Sequence, residues 1–302
     1  MKHLLKLMDC TGEEIINILN LADQLKYELK HGIPHKHLEG KTLGMIFEKS
    51  STRTRVSFEV GMVQLGGYPL FLSSNDLQIG RGEPVQDTAR VLSRFLDGIM
   101  IRTFEQSEVE ALAQYGSIPV INGLTDFCHP CQILADLMTI REFKGRLQGL
   151  KMCFIGDGNN MMNSLIVGAL KTGMSISVAC PEGYEPPEVI LDFAKEYGDR
   201  FEMVRDPFTA AKNADVLITD VWASMGQEGE AQKRAKAFEG VYQINSELLS
   251  VANEGCMVQH CLPAHRGEEI TEEVFEAHAN EIFEEAENRL HAQKAVLVTL
   301  MK

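Results

Sequence analysis

Short apolar runs alternate with polar or helix-patterned segments along the whole chain, and this constrains the fold more than any other feature. Thr42 to Phe47, Leu70 to Leu72, Gly98 to Ile101 and Pro119 to Ile121 form one set of candidate strands. Lys151 to Ile155, Ser175 to Ala179, Phe201 to Val204, Asp215 to Thr219 and Cys256 to Gln259 form a second. Alternation of strand and helix implies parallel sheets covered by helices on both faces. The expected fold class is α/β, with two doubly wound domains, each a central parallel sheet flanked by helices, and the active site in the cleft between them. The divide falls at Arg141 to Gly149, where a helix beginning near Gln132 runs into a stretch rich in Lys, Gly, Arg and Gln. Domains at 1–140 and 148–285 follow, and 302 residues suit two cores of roughly 150 residues each.

The residues able to do chemistry follow the strands, as ligand sites do in open α/β sheets. The richest stretch is Phe47-Glu-Lys-Ser-Ser-Thr-Arg-Thr-Arg55. Val56, Val60 and Val63 recur at helical spacing up to Gly66 and Gly67, so Ser51 to Thr54 sit at a helix start. Unpaired N–H groups and the positive end of the helix dipole favour an anion there, and Arg53 and Arg55 add forked charges suited to phosphate. The competing reading is a capped surface helix with solvated arginines.

Charge and cysteine usage narrow the function classes. A net charge of -14 argues against nucleic acid or an anionic membrane as partner, so an anionic ligand needs a local basic site. No apolar run approaches the roughly 20 residues of a membrane span, and Met1 to Cys10 is too short in apolar residues for a signal peptide, so a cytoplasmic location is expected. Seven scattered cysteines fit free thiols in a reducing compartment. The acidic run Glu268 to Glu287 reads as a solvated helical face.

Four further segments carry chemistry, each with an alternative. His129-Pro-Cys-Gln132 supplies an imidazole and an amide able to polarise a carbonyl and hold an NH2 group, while Cys128 and Cys131 also spell a redox CxxC. Gly156-Asp-Gly-Asn-Asn160 is half of a dinucleotide fingerprint without its third glycine, and is better read as a tight turn presenting Asn159 or Asn160 to a polar ligand. Asp220, closing a strand before Ser224-Met-Gly226, can pair with an ammonium group. His260-Cys-Leu-Pro263 follows another strand; with Cys128 and Cys131 it suggests zinc, but the second regular ligand pair of such sites is missing, and no metal is expected.

Together these segments resemble the aspartate and ornithine carbamoyltransferase family. Ser51 to Arg55 and His129 to Gln132 are similar to its carbamoyl phosphate motifs, and Ser224 to Gly226 and His260 to Pro263 to its ornithine branch. Glu287-Asn-Arg-Leu-His291 resembles the start of its terminal helix, so that 286–302 would complete the first domain. The resemblance spans nearly the whole chain. It implies transfer of a carbamoyl group from carbamoyl phosphate to the δ-amine of L-ornithine, giving L-citrulline and phosphate without a cofactor.

It also implies roles. Ser51, Thr52, Arg53 and Thr54 hold the phosphate with Arg102, and Thr54, Arg102 and His129 bind the carbonyl oxygen. Gln132 and the Leu262 carbonyl orient the carbamoyl NH2, Arg289 closes the site, and Gln78 reaches a neighbouring subunit's site. Leu124, Asn160, Asp220, Ser224 and Met225 hold ornithine, and Cys261 lies beside its amines. An amine attacks only when unprotonated, so a Cys261 thiolate near cations would help remove its proton. The family forms trimers. Another amine such as putrescine is the alternative substrate, against which the Ser-Met-Gly loop argues; a nicotinamide dehydrogenase built on Gly156 to Asn160 is the alternative from another class.

Overall fold

The computed structural model describes residues 1–78, 82–223 and 228–302. They divide into two compact units, Met1–Met138 with Glu287–Lys302, and Thr139–Ala286.

In the first unit β1 (Thr42–Phe47), β2 (Tyr68–Ser73), β3 (Gly98–Arg102) and β4 (Val120–Leu124) form an all-parallel sheet in the order β2-β1-β3-β4. Its helices are α1 (Gly12–Lys30), α2 (Thr52–Gln64), α3 (Val85–Leu92), α4 (Gln106–Tyr115), most of α5 (Pro130–Lys144) and the C-terminal part of α12 (Ala279–Met301). In the second, β5 (Lys151–Ile155), β6 (Ser175–Ala179), β7 (Phe201–Val204), β8 (Val216–Thr219) and β9 (Met257–His260) run parallel in the order β7-β6-β5-β8-β9. Helices α6 (Asn160–Lys171), α7 (Glu188–Lys195), α8 (Pro207–Ala211), α9 (Ala231–Phe238), α10 (Ser246–Leu249) and α11 (Glu272–Ala277) accompany it. Both sheets are thus parallel and helix-covered, as expected, and all nine expected strands form. Among the described residues no helix is long and apolar enough to cross a membrane.

Each sheet reverses its strand order once, and the loaded loops emerge at that reversal. In the first sheet the chain turns outward from β1 to β2 and then back to β3, so the crevice lies beyond the carboxyl ends of β1 and β3. Ser51 to Thr54 follow β1, and Arg102 ends β3. In the second sheet the reversal lies between β5 and β8, whose ends carry Gly156 to Asn160 and Asp220. The ladder between β3 and β4 slips register at Ile101 and Arg102, next to Gly123. A Cβ on Gly123 would meet Met100 Sδ at 2.6 Å and the Ile101 carbonyl at 3.1 Å, so glycine spares the bulge a close contact there.

The helix signalled by Val56, Val60 and Val63 forms as α2, though the valines lie off its buried face, and the acidic run departs from expectation. The buried face of α2 is Thr54, Phe58, Gly61 and Met62, whereas Val56, Val60 and Val63 are exposed at 51%, 38% and 64%. The hydroxyl and the glycine, not the valines, mark the inward stripe. Nor is the acidic run uniformly solvated: Glu269 and Glu285 are fully buried. Glu285 accepts from the His260 backbone N–H at 3.0 Å and Glu281 from that of Val258 at 2.8 Å, so these carboxylates satisfy β9 donors.

Candidate active site

The first unit gathers its candidates around Thr54. Ser51 caps α2, its side chain accepting from the Thr54 N–H at 3.1 Å, and the first turn of α2 carries no acidic side chain. The helix terminus therefore keeps its positive character. Thr54 is buried, and its Oγ1 accepts from Arg289 Nη2 at 3.0 Å and from Arg102 Nη1 at 3.5 Å. Arg289 Nη1 also donates to Gln132 Oε1 at 2.6 Å. Arg55 is directed elsewhere: it is exposed, bonds Glu59 Oε1 at 3.1 Å and stacks 3.6 Å over Phe71. The expectation that both arginines of the segment serve an anion is corrected for Arg55.

His129 is buried beside this cluster, immediately before α5, which starts at Pro130, near Gln132 as expected. Burial, then the charges of Arg289, Arg102 and Arg53, push its pKa well below the ordinary 6.5. The imidazole is neutral at physiological pH and offers one N–H to an oxygen without adding charge. The turn that carries it is held by local bonds: Thr125 N–H donates to the Cys128 carbonyl at 2.9 Å, and Cys128 N–H to Thr125 Oγ1 at 3.1 Å. The CxxC thiols belong to the same frame. Cys128 Sγ donates to Gln106 Oε1 at 3.4 Å, Cys131 Sγ to the Asn122 carbonyl at 3.3 Å, and burial pushes both thiols up to about 12. That is a structural role, not the redox one.

The second unit gathers its candidates around Asp220, which is buried. Asp220 Oδ2 accepts from Asn159 Nδ2 at 2.9 Å, and Oδ1 from the Val221 N–H at 2.8 Å and the Cys261 thiol at 3.2 Å. Asn159 also caps α6, its Oδ1 accepting from the Met161 and Met162 N–H groups at 2.9 and 3.2 Å. Asn160, the first residue of α6, lies beside it, partly buried. Gly158 is there for backbone packing: a Cβ would meet Pro186 N at 2.5 Å and Glu185 C at 2.4 Å. The Gly156 to Asn160 turn therefore aims Asn159 at a carboxylate and packs against residues 184–186, which explains its glycines without a dinucleotide.

His260 and Leu262 complete this side. His260 Nε2 faces Glu269 Oε1 at 2.8 Å, and its Nδ1 accepts from the Leu262 N–H at 2.9 Å, so both ring nitrogens are engaged. Asp220, His260 and Cys261 lie close enough to hold a metal ion, but the engaged imidazole fits a frame for the Cys261 to Pro263 turn. The Cys261 thiol donates to the Asp220 carboxylate here. Leu262 is in the left-handed region at φ 59, partly buried.

The remaining candidates are scattered. Leu124 ends β4 and is partly buried; Thr52 and Gln78 are exposed, and the Gln78 carbonyl accepts from the Glu83 N–H at 3.1 Å. Ser224 and Met225 lie outside the described residues. Sequence reading missed Asp136 and Gln293, each one helical turn beyond a named site residue and each fully buried. It also missed the buried pair of Arg234 Nη1 and Asp157 Oδ2 at 2.6 Å. The i, i+4 spacing of Gln132 with Asp136 and of Arg289 with Gln293 was the available signal.

Comparison with known proteins places these clusters in context. Residues 2–142 match the family described as aspartate/ornithine carbamoyltransferase, carbamoyl-P binding domain, and residues 148–300 match its Asp/Orn binding domain. An ornithine carbamoyltransferase of Carboxydothermus hydrogenoformans is 57% identical over 304 residues, covering 99% of this chain and 97% of the relative. Among solved structures, the ornithine carbamoyltransferase of Pyrococcus furiosus superposes with a TM-score of 0.94 at 53% identity, over 99% of this chain and 97% of that one. The anabolic ornithine carbamoyltransferase of Campylobacter jejuni gives 0.93 at 47% identity, over 99% of each chain.

Proposed function

The chain belongs to the aspartate/ornithine carbamoyltransferase family, and we propose that it transfers the carbamoyl group of carbamoyl phosphate to the δ-amine of L-ornithine, giving L-citrulline and phosphate. The observation that carries the reading is the convergence of Arg102 and Arg289 on Thr54 at the N-terminus of α2, with neutral His129 beside them.

The chemistry of each half supports a role. Ser51, Thr52, Arg53 and Thr54 hold the phosphate through helix-terminal N–H groups and charge, with Arg102. A hydroxyl has two acceptor sites and one proton; with Thr54 Oγ1 accepting from two arginines, its proton is directed outward as a donor. Thr54, Arg102 and His129 thus present donors where negative charge grows on the carbonyl oxygen as the amine attacks. Gln132 Oε1 and the Leu262 carbonyl accept from the carbamoyl NH2. The carbonyl carbon gains the amine nitrogen, the bond to the phosphate oxygen breaks, and phosphate leaves. No metal or redox partner enters this balance.

Ornithine is held by Leu124, Asn160, Asp220, Ser224 and Met225, with Asp220 pairing an ammonium group and Cys261 lying beside the amines. Because a primary amine has a pKa near 10, its proton must be removed before attack. The Cys261 thiol, hydrogen-bonded to Asp220, gives that proton a short path to a carboxylate.

The reading extends to a homotrimer in which Gln78 serves a neighbouring subunit's site. The exposed Val56, Val60 and Val63 support association, since an apolar helix stripe in water costs free energy that a partner subunit removes; light scattering on the purified protein measures the mass. A cytoplasmic location is supported by seven free cysteines, six of them buried. The role proposed for that citrulline is arginine biosynthesis; a catabolic enzyme shares the same chemistry. The activity itself is tested by incubating purified protein with carbamoyl phosphate and L-ornithine: citrulline forms in proportion to enzyme, and its absence would refute the proposal.

A further inference from the structure

We infer that Asp136 is a positioning residue that fixes which end of the Gln132 amide faces the carbamoyl group; the inference rests on the role of Gln132 given above. An amide side chain is nearly symmetric in shape, so packing alone does not decide which end is the acceptor. Two neighbours decide it here. Gln132 Nε2 donates to Asp136 Oδ1 at 2.8 Å, and Arg289 Nη1 donates to Gln132 Oε1 at 2.6 Å. The Asp136 oxygen accepts from the amide nitrogen, and a guanidinium only donates. Rotating the amide by half a turn would set its oxygen against the carboxylate and its N–H against the guanidinium. Gln132 is 2% exposed and Asp136 0%, so water cannot relieve either clash.

The other end of the relay is held in the same way. Gln293 is fully buried one turn beyond Arg289 on α12. With its amide oriented to satisfy its neighbours, its oxygen accepts from Arg289 Nε at 3.1 Å and Nη2 at 3.0 Å, and its nitrogen donates to Ser57 Oγ. Ser57 Oγ in turn donates to the Arg53 carbonyl at 2.6 Å, within the first turn of α2. Donor and acceptor are therefore assigned at every bond from Asp136 through Gln132, Arg289 and Gln293 to Ser57.

The consequence is selective. With its polarity fixed, Gln132 presents an acceptor oxygen rather than an NH2 group to a donor on the ligand. A carbamoyl NH2 can use it and a methyl group cannot. Asp136 thus governs discrimination between carbamoyl phosphate and acetyl phosphate, while the grip on phosphate, built on α2 and the arginines, does not depend on it.

The test compares Asp136→Leu, Asp136→Asn and Gln132→Ala with the unmodified protein, reading KM for carbamoyl phosphate and the inhibition constants of acetyl phosphate and inorganic phosphate. In the Asp136→Leu protein the ratio of the acetyl phosphate constant to the carbamoyl phosphate KM falls about tenfold, towards that of Gln132→Ala, and the phosphate constant stays within about twofold. Asp136→Asn, which retains an acceptor oxygen, loses about threefold, and decides the matter alone if the leucine protein does not fold. If folded Asp136 variants keep the unmodified ratio while Gln132→Ala loses it, Asp136 does not position the amide. An equal rise in all three constants indicates a merely structural role and also overturns the inference. If Gln132→Ala itself keeps the ratio, the reading of Gln132 fails, and the role of Asp136 with it.

Discussion

Thr54 and Arg289 lie 235 residues apart in the chain, yet Arg289 Nη2 donates to Thr54 Oγ1 at 3.0 Å. A residue of the terminal helix thus completes a site that begins after the first strand. Replacing Arg289 by Ala removes this bond and the one to Gln132, and is expected to lower kcat/KM by about a hundredfold or more. Lysine should restore little, because one ammonium cannot reproduce two forked contacts. Steady-state kinetics at varied carbamoyl phosphate checks both.

Asp220 should act on the second substrate alone. Asp220→Asn keeps the shape that Asn159 and Cys261 contact but removes the charge proposed to pair with ammonium. We expect KM for ornithine to rise about a hundredfold and KM for carbamoyl phosphate to stay within about twofold. A parallel rise in both would contradict the assignment.

How far the sequence disclosed this arrangement depended on what each residue's signal was. The central strands were readable because parallel strands buried on both faces must be apolar throughout, while the edge strands β2 and β7 are only partly buried. The stripe of α2 was not, since Thr54 and Gly61 face inward while Val56, Val60 and Val63 do not, and residue polarity misleads wherever a site faces the core. Arg55 illustrates a second limit: adjacency placed it with Arg53, but Phe71, brought near only by the fold, and Glu59, one helical turn on, draw it away. Glu269, Glu281 and Glu285 are indistinguishable in sequence from solvated acids; their partners are His260 and the N–H groups of β9. Asp136 carried only the i, i+4 spacing to Gln132 as a signal, and its bond to the amide is what gives it a purpose.

Two buried histidines make the fold acid-sensitive. His129 is held well below its ordinary 6.5, and His291 is pushed to about 4, first by burial and then by the charge of Lys294. Both are neutral in the native state and protonate on unfolding below 6.5, so the unfolded state binds more protons there. Stability is therefore retained above 6.5 and lost as pH falls towards 4, with His291 contributing on the order of 3 kcal/mol. Calorimetric melting temperatures should drop across this window, and His291→Gln should flatten the drop.

Thiol chemistry separates Cys261 from the rest. Cys10, Cys128, Cys131, Cys153, Cys180 and Cys256 are buried, and burial pushes Cys128, Cys131, Cys153 and Cys256 up to about 12 and Cys180 to about 11. Iodoacetamide at neutral pH should label Cys261 first, by peptide mass mapping, and saturating substrates should slow the labelling. Cys261→Ser should lower kcat and displace its pH profile; an unchanged turnover and profile would remove the thiol from the proton path.

The central claim is the pairing of a carbamoyl phosphate site with an ornithine site on one chain, and its most direct test is amine specificity. With carbamoyl phosphate fixed and saturating, kcat/KM is measured for L-ornithine, putrescine, N-acetylornithine and aspartate. Ornithine is predicted to exceed each of the others by about a hundredfold or more, because the others lack a charge or amine that the second site is proposed to hold. Equal or faster carbamoylation of putrescine, or of any other of the three, would contradict it.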